Sequence, residues 1–333
     1  MEYFKVVRWL DLSKYELMIV NRGVAYFPSV IEPIQFHDTL RGAPSKLTCK
    51  VVHGQAIDFQ EGNPVRLKYD NKEIFFGFVF IKKRDREHHI EVTAYDQIRY
   101  LMFKDTMVFE NKSATEIINH IGKVNPSLNF GTIEDTKCKL KSRVEDNTTY
   151  LDMIYNSLDH TLLQTKQMYV LYDDFGRLQL RNMKDLVIED FIISEDNSEN
   201  FSYISSIDDE TYNVIKLIYH DKDTNEVTEY SAKDEDSINR WGMLQHFEKI
   251  DEYTNGQLKA DTLLELYNRK TRKLEVQNIR GNTDVRAGFR VMTMLNLGDI
   301  IIQNYLVVDS VTHKFYNSHH DMTIKFRGGG FVG

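Results

Sequence analysis

This 333-residue chain offers 11 histidines, two cysteines and 50 carboxylates for acid–base, nucleophilic or metal chemistry, so their spacing decides what they can do. His313, His319, His320 and Asp321 are close in sequence, and imidazoles with a carboxylate can hold zinc. Adjacent side chains on a strand point to opposite faces, so at most one of His319 and His320 can join a given site. The run Glu87, His88, His89 has the same limitation. Both histidine pairs fall where hairpin turns are expected, which predicts solvated turn residues. Neither HExxH nor CxxC spacing occurs.

The nucleophiles are no better placed. Cys49 lies in an alternating segment and reads as a small core residue. Cys138 lies in the lysine-rich run Lys137 to Lys141, where positive charge could lower a thiol pKa, but no base partner is identifiable. No GxSxG elbow occurs. Asp173-Asp174, Glu195-Asp196 and Asp208-Asp209-Glu210 could be pictured as a glycosidase pair, which needs carboxyls about 5–9 Å apart. Each falls in an expected turn, where charge runs are solvated. The phosphate-cradling loop GxxxxGK[ST] is absent, and Gly328-Gly329-Gly330, with no helix after it, reads as a flexible tail. The basic clusters Lys82-Lys83-Arg84 with Arg86, and Arg269 to Lys273, fall in a hairpin turn and at a helix end, where cations complement the dipole. No residue is therefore assigned a catalytic, cofactor-binding or metal-binding role, and no cofactor is expected.

Composition narrows the class. Hydrophobic residues make up 41% and charged residues 28%, a globular balance that excludes a wholly disordered chain. The net charge of −8 argues against a protein that grips phosphates for its affinity. No stretch approaches the ~20 apolar residues of a membrane-spanning helix. The start, MEYFKVVRWLDLSKY, lacks a signal-peptide apolar core, so synthesis in the cytoplasm is expected, and two cysteines suit a reducing compartment. Residues 1–110 carry 16 basic and 15 acidic side chains, 111–200 carry 10 and 15, and 201–333 carry 16 and 20, so the acidity lies in the middle and end.

The elements follow from periodicity. Thr48–Val52, then Val65, Leu67 and Tyr69 alternating with Arg66 and Lys68, then Ile74–Ile81 and Ile90, Val92, Ala94 predict an antiparallel meander, with a turn at Asp70-Asn71-Lys72. Ser113 with Glu116 is a capping box before Ile117, Ile118 and Ile121 on one helical face, with Gly122 and Pro126 as its stop. A second helix begins near Thr149, with Leu151, Ile154, Tyr155, Leu158 and Leu162 on one stripe. A hairpin turns at Asp174-Phe175-Gly176-Arg177. Further on come a hairpin around Asp221–Asn225, an acidic loop at Lys233–Asp236, a helix over Leu258–Lys270 capped by Thr254, and a strand at Leu274–Ile279. Strands at Val291–Leu295, Ile300–Gln303, Tyr305–His313 and Met322–Phe326 complete the chain.

Gly62, strands 65–69 and 74–81, a turn with His88-His89 and strand 90–94 resemble Gly298, strands 300–303 and 305–313, a turn with His319-His320 and strand 322–326. A module repeated about 230 residues apart suits a ring-like or stacked assembly better than a single catalytic pocket.

The C-terminal third, from Asp261–Tyr267 through Gly281-Asn282, Arg286-Ala287-Gly288 and Leu297-Gly298-Asp299 to YLVVDSVTHKFYNSHHDMTIKF, resembles the baseplate hub (tail-spike hub) proteins of contractile phage tails and prophage-derived tail-like particles, to which the hub half of type VI secretion spikes is related. Tyr305, Val307, Val311, His313, His319, Met322 and Ile324 carry it, and the DDFGRLQL hairpin and Asp236-Ser237-Ile238 before Trp241-Gly242 also fit. The resemblance implies a β-rich α+β protein with two tube-type antiparallel β-barrel domains, 1–109 and 201–333, the latter with a helical insertion near 255–273, flanking an α+β middle domain, 110–200. It implies a non-enzymatic homotrimer whose pseudo-sixfold ring joins the tail tube to the central spike among other baseplate proteins, with a channel that passes DNA or effector cargo without specific binding. The place of work is then the virion or tail-like particle. The chain ends without an appended spike or lysozyme-like domain, so spike and wall hydrolase are expected as separate polypeptides. A tail-associated peptidoglycan hydrolase or peptidase, and a cell-wall or carbohydrate-binding module, are the alternatives from other classes.

Overall fold

The computed structural model describes residues 5–7, 14–52, 58–208, 210–221, 224–251 and 254–327. It is a β-rich α+β protein with four α-helices among the described residues. The chain forms two compact units, one made of the residues up to Phe201 together with those from Glu275 onward, the other of Ser202–Leu274.

In the first unit, period-2 patterning becomes strands with one buried face. Val65, Leu67 and Tyr69 are buried on Pro64–Tyr69 while Arg66 is exposed. This strand pairs antiparallel with Lys72–Arg84, which pairs antiparallel with Ile90–Tyr95. Asp70 and Asn71 both have positive φ, the two-residue hairpin geometry whose twist matches that of its strands. Gly77 is required by close approach: a Cβ there would lie 2.3 Å from the Tyr95 carbonyl oxygen on the neighbouring strand. Ile19, Ile34, Phe36, Leu47, Val65, Leu67 and Val92 form one core, and Phe315, from the far end of the chain, is part of it.

Phe315 arrives there on a strand that spans two expected ones. Residues 300–303 and 305–313 are not separate; Ile301–Phe315 is a single 15-residue strand. Its first half pairs with Arg290–Asn296, Asn304 opposite Thr293, so no turn forms where the hydropathy pattern weakens. Its second half lies between Val30–Thr39, His313 opposite Phe36, and His320–Phe326, His313 opposite Met322. The C-terminal three-strand meander is thus Arg290–Asn296, Ile301–Phe315 and His320–Phe326, displaced by one strand from the expected repeat. Through the Val30–Thr39 pairing, strands from both ends of the chain join one 14-stranded sheet. Among the described residues no sheet closes into a barrel.

The middle segment packs two helices on a small sheet. In α1 (Ala114–Val124) the capping box is formed in both directions: Glu116 N donates to Ser113 Oγ at 3.2 Å and Ser113 N to Glu116 Oε2 at 2.7 Å. Ile117, Ile118 and Ile121 are fully buried, each stabilising by roughly 1.5–3 kcal/mol. Gly122 does not stop the helix, which runs on to Val124; the Phe130 ring lies 2.7 Å from where its Cβ would be. Thr149 caps α2 (Tyr150–Thr165) as expected, and Leu151, Ile154, Tyr155 and Leu158 are buried. Tyr169–Asp173 and Leu178–Asn182 form the expected hairpin, and Phe130–Ile133 runs parallel to the latter strand.

In the second unit Val214–His220 lies between antiparallel Val227–Lys233 and parallel Gln245–Ile250. The Lys233–Asp236 segment is not a loop throughout: Asp234 accepts from Ser237 N and caps α3 (Glu235–Trp241), because carboxylates favour a helix N-terminus. The cap of α4 (Gly256–Tyr267) is Asn255, not Thr254. Ala260 of α4 and Ile215, Leu217 and Ala232 of the sheet form this unit's core, against which Leu263 and Leu264 pack.

Candidate functional site

One polar constellation among the described residues is buried. On Val30–Thr39 the inward face reads Ile34, Phe36, Asp38, so the strand alternation itself delivers a carboxylate into the core. Ile90–Tyr95 does the same, its inward Ile90, Val92 and Ala94 being followed by Asp96. Asp173 arrives from the hairpin of the middle segment and Arg286 from the loop before Arg290–Asn296. Asp38, Asp96 and Asp173 are 2%, 1% and 4% exposed.

Each carboxylate has specific donors. Arg286 Nε donates to Asp38 Oδ2 at 2.7 Å, Ala287 N to the same oxygen at 3.2 Å, and Ser45 Oγ to Asp38 Oδ1 at 2.8 Å. Arg286 Nη2 donates to the Asp173 carbonyl at 3.1 Å, and its guanidinium lies 5.3 Å over Phe36 and 5.5 Å over Tyr172. Gln97 Nε2 donates to Asp173 Oδ2 at 2.9 Å, and Gly176 N to Asp173 Oδ1. Asp96 accepts from Ser45 N at 3.2 Å and Ile98 N at 3.0 Å.

Burial raises the Asp38 pKa, but the Arg286 charge and the hydrogen bonds more than reverse this and leave it below the usual value. Burial, with the Asp173 charge next, raises Asp96 well above its ordinary value, and burial raises Asp173. Burial thus works against the ionised forms of Asp96 and Asp173, while Asp38 keeps its charge opposite Arg286. These hydrogen bonds tie together four segments of the chain, around Asp38, Asp96, Asp173 and Arg286, like a lock. The Asp173 position corrects the expectation of a solvated turn. Asp38, Asp96 and Gln97 were missed and Arg286 was read only within the Arg286-Ala287-Gly288 motif; for the two acids, a carboxylate continuing an apolar face at i+2 was a signal present in the sequence.

The histidines divide. His313 and His320 do meet, ring nitrogens 2.9 Å apart, and His313 Nε2 lies 3.0 Å from the Val285 carbonyl. His320 is 8% exposed and stacks on Phe315 at 4.4 Å, so it is a core residue rather than a solvated turn residue. His319 faces away, over Tyr316 at 4.3 Å and 3.2 Å from Asp321. The four groups therefore do not converge. Burial lowers His313 to about 4 and, with the neighbouring His313 charge, His320 to about 3, so both are neutral near pH 7.

Asp85, Glu87 and His89 do converge, their ligand atoms within 4.8 Å of one another at an exposed turn, while His88 points elsewhere with φ 62°. The Asp85 oxygen nearest His89 is already paired with Lys50 at 2.8 Å. Cys49 is buried, and burial pushes its thiol up to about 12, which makes it inert. Cys138 is buried and donates to Gln164 Oε1 at 3.1 Å. Asp174 closes its turn with Arg177, Glu195 accepts from Asn296 N at 3.4 Å, and Asp209 lies outside the described residues, as does Gly328-Gly329-Gly330. In the basic clusters, Lys82 donates to the Phe59 carbonyl and Lys83 lies 3.8 Å from Glu91. Thr211 Oγ1 donates to the Arg269 carbonyl.

The YqbQ-like family matches residues 34–327, which takes in every residue of this buried lock. The chain belongs to that family. Two proteins of Bacillus subtilis (strain 168), the uncharacterized protein YqbQ and the phage-like element PBSX protein XkdQ, are each 30% identical to it over 316 residues, 92% of this chain and 95% of theirs. The 43 kDa tail protein of prophage MuSo2 from Shewanella oneidensis has the same fold, with a TM-score of 0.69 over 94% of this chain and 98% of that one at 11% identity. So does the tail protein from Neisseria meningitidis MC58, with a TM-score of 0.66 over 95% and 97% at 11% identity. At such identities the likeness is one of fold, and it is the prophage tail fold that the ordered sequence motifs resemble. Among the described residues no helix is long and apolar enough to cross a membrane.

Proposed function

We propose that this chain is the structural, non-enzymatic hub of the baseplate of a contractile phage tail or phage-tail-like particle. The observation that carries the reading is the match across 92% of the chain to a protein named for a phage-like element, together with the prophage tail fold. In this reading three copies form a ring with pseudo-sixfold symmetry that joins the tail tube to a separate central spike and contacts other baseplate proteins. The chain is made in the host cytoplasm and ends in the particle.

The division 1–109, 110–200 and 201–333 belongs to the same reading. The first and last segments each contribute a three-strand antiparallel meander, and these serve as the two tube-type modules. Open in the single chain, they would be closed by neighbours in the ring, which would also cover free strand edges. The net charge of −8 suits a channel whose cargo must not stick, since carboxylates repel phosphate.

Imaging of intact tails and native mass measurement of the chain with its spike test this. Three copies around the axis are expected. Two or six copies, or cell-wall cleavage in a zymogram of the purified protein, would overturn it.

A further inference from the structure

The middle segment is acidic overall, yet one groove on it is rimmed by unpaired cations. It runs between the end of the Lys104–Phe109 strand and α1, holds about 360 Å³, and is lined by Val108, Phe109, Lys112, Glu116, His120 and Lys123 among others. Glu116 is already committed, to Lys139 at 2.5 Å and Ser113 N at 2.7 Å. Among the described residues neither Lys112 nor Lys123 has a side-chain hydrogen bond or ion pair. The Arg143 guanidinium lies 5.9 Å over the Phe109 ring, and one of its terminal nitrogens is buried without a hydrogen-bond partner.

The strand beside the groove belongs to a two-stranded ribbon, Lys104–Phe109 with Arg143–Thr149, so among the described residues each strand has an edge that carries no further strand. Val108 and Val144 pair directly across it and are both 63% exposed. A two-stranded ribbon is marginal in water, and an open edge is a template for an added strand. Lys112 lies just before α1 and Lys123 in its last turn. At 1.5 Å per residue they are roughly 16 Å apart along the helix, a span that an extended chain crosses in about five residues.

We propose that this groove docks an extended acidic segment of another protein, alternating apolar side chains with carboxylates four residues apart, on one face of the strand. The carboxylates would pair with Lys112 and Lys123, and the apolar side chains would cover Val108. Backbone hydrogen bonds along an open strand would supply affinity and the lysines selectivity, the division of labour of strand addition. The inference does not depend on the hub reading, because it rests on this groove alone.

Fluorescence anisotropy with the purified full chain tests it. The probe is a labelled valine-rich heptapeptide with two glutamates four residues apart; its lysine counterpart and a single-stranded oligonucleotide serve as controls. One-to-one saturable binding of the glutamate peptide is expected, weakened by salt, at least tenfold by Lys112→Glu with Lys123→Glu, and also by Val108→Ser. All three positions are exposed, and an unchanged thermal unfolding curve confirms that the variants fold. Absence of saturable binding, equal binding of either control, or indifference to charge reversal would overturn it. So would self-association of the chain that the same variants abolish.

Discussion

Asp38 and Arg286, 248 residues apart in the chain, meet at 2.7 Å with their side chains 3% and 11% exposed. Burying two charges is costly, so such a pair adds little net stability over an apolar pair, yet breaking it strands a charge in the core. Asp38→Ala should destabilise by about 3–5 kcal/mol, and Arg286→Met by a similar amount. The double variant should lose clearly less than the sum. Urea unfolding in a double-mutant cycle measures this, and strict additivity would show that the pair is not coupled.

The buried imidazoles give a sign for pH dependence. His313 and His320 titrate at about 4 and about 3 in the folded chain, below the usual 6.5. Between these values the unfolded chain binds more protons at these two sites, so their contribution to stability falls as pH drops from 6.5 towards 4. The His313 contribution is on the order of 3 kcal/mol, and the lowered Asp38 acts in the same direction at lower pH. Relative to His313→Gln with His320→Gln, the native sequence should lose unfolding free energy from pH 7 through 5.5 to 4.5, against the opposite trend that the raised Asp96 and Asp173 give both proteins. Parallel profiles would refute the assignment.

Gly77→Ala places a methyl 2.3 Å from a backbone oxygen that cannot rotate away. The strands Lys72–Arg84 and Ile90–Tyr95 must separate locally, at roughly 3 kcal/mol or more. Chemical denaturation should show this loss, whereas alanine at Gly62, which meets nothing within 4 Å but has φ +83°, should show only the smaller cost of backbone strain.

Removing the helix caps should be local in effect. Ser113→Ala breaks a formed capping box and Thr149→Ala a single cap, each at about 1 kcal/mol. Hydrogen exchange should speed up in the first turn of α1 or α2 while amides of the Pro64–Tyr69 strand keep their protection.

By itself the sequence determined the local elements, because their causes are local. The Ser113/Glu116 and Thr149 caps, the Asp70-Asn71 turn and the alternation through Val65, Leu67 and Tyr69 each act within a few residues and need no partner to be read. The order of motifs along the C-terminal third carried the family in the same way. Only the tertiary structure decided that residues 301–315 are one strand, since its continuity through Asn304 comes from pairing with Thr293. It also decided that His320 is core, because Phe315, Tyr69 and His313 close around it. The lock at Asp38 was half legible. A carboxylate on an inward strand position announces that it needs a buried cation, but nothing local selects Arg286. That choice is made by the pairing of Val30–Thr39 with Ile301–Phe315, which brings the two ends of the chain together and whose loop-closure entropy only the assembled core can offset.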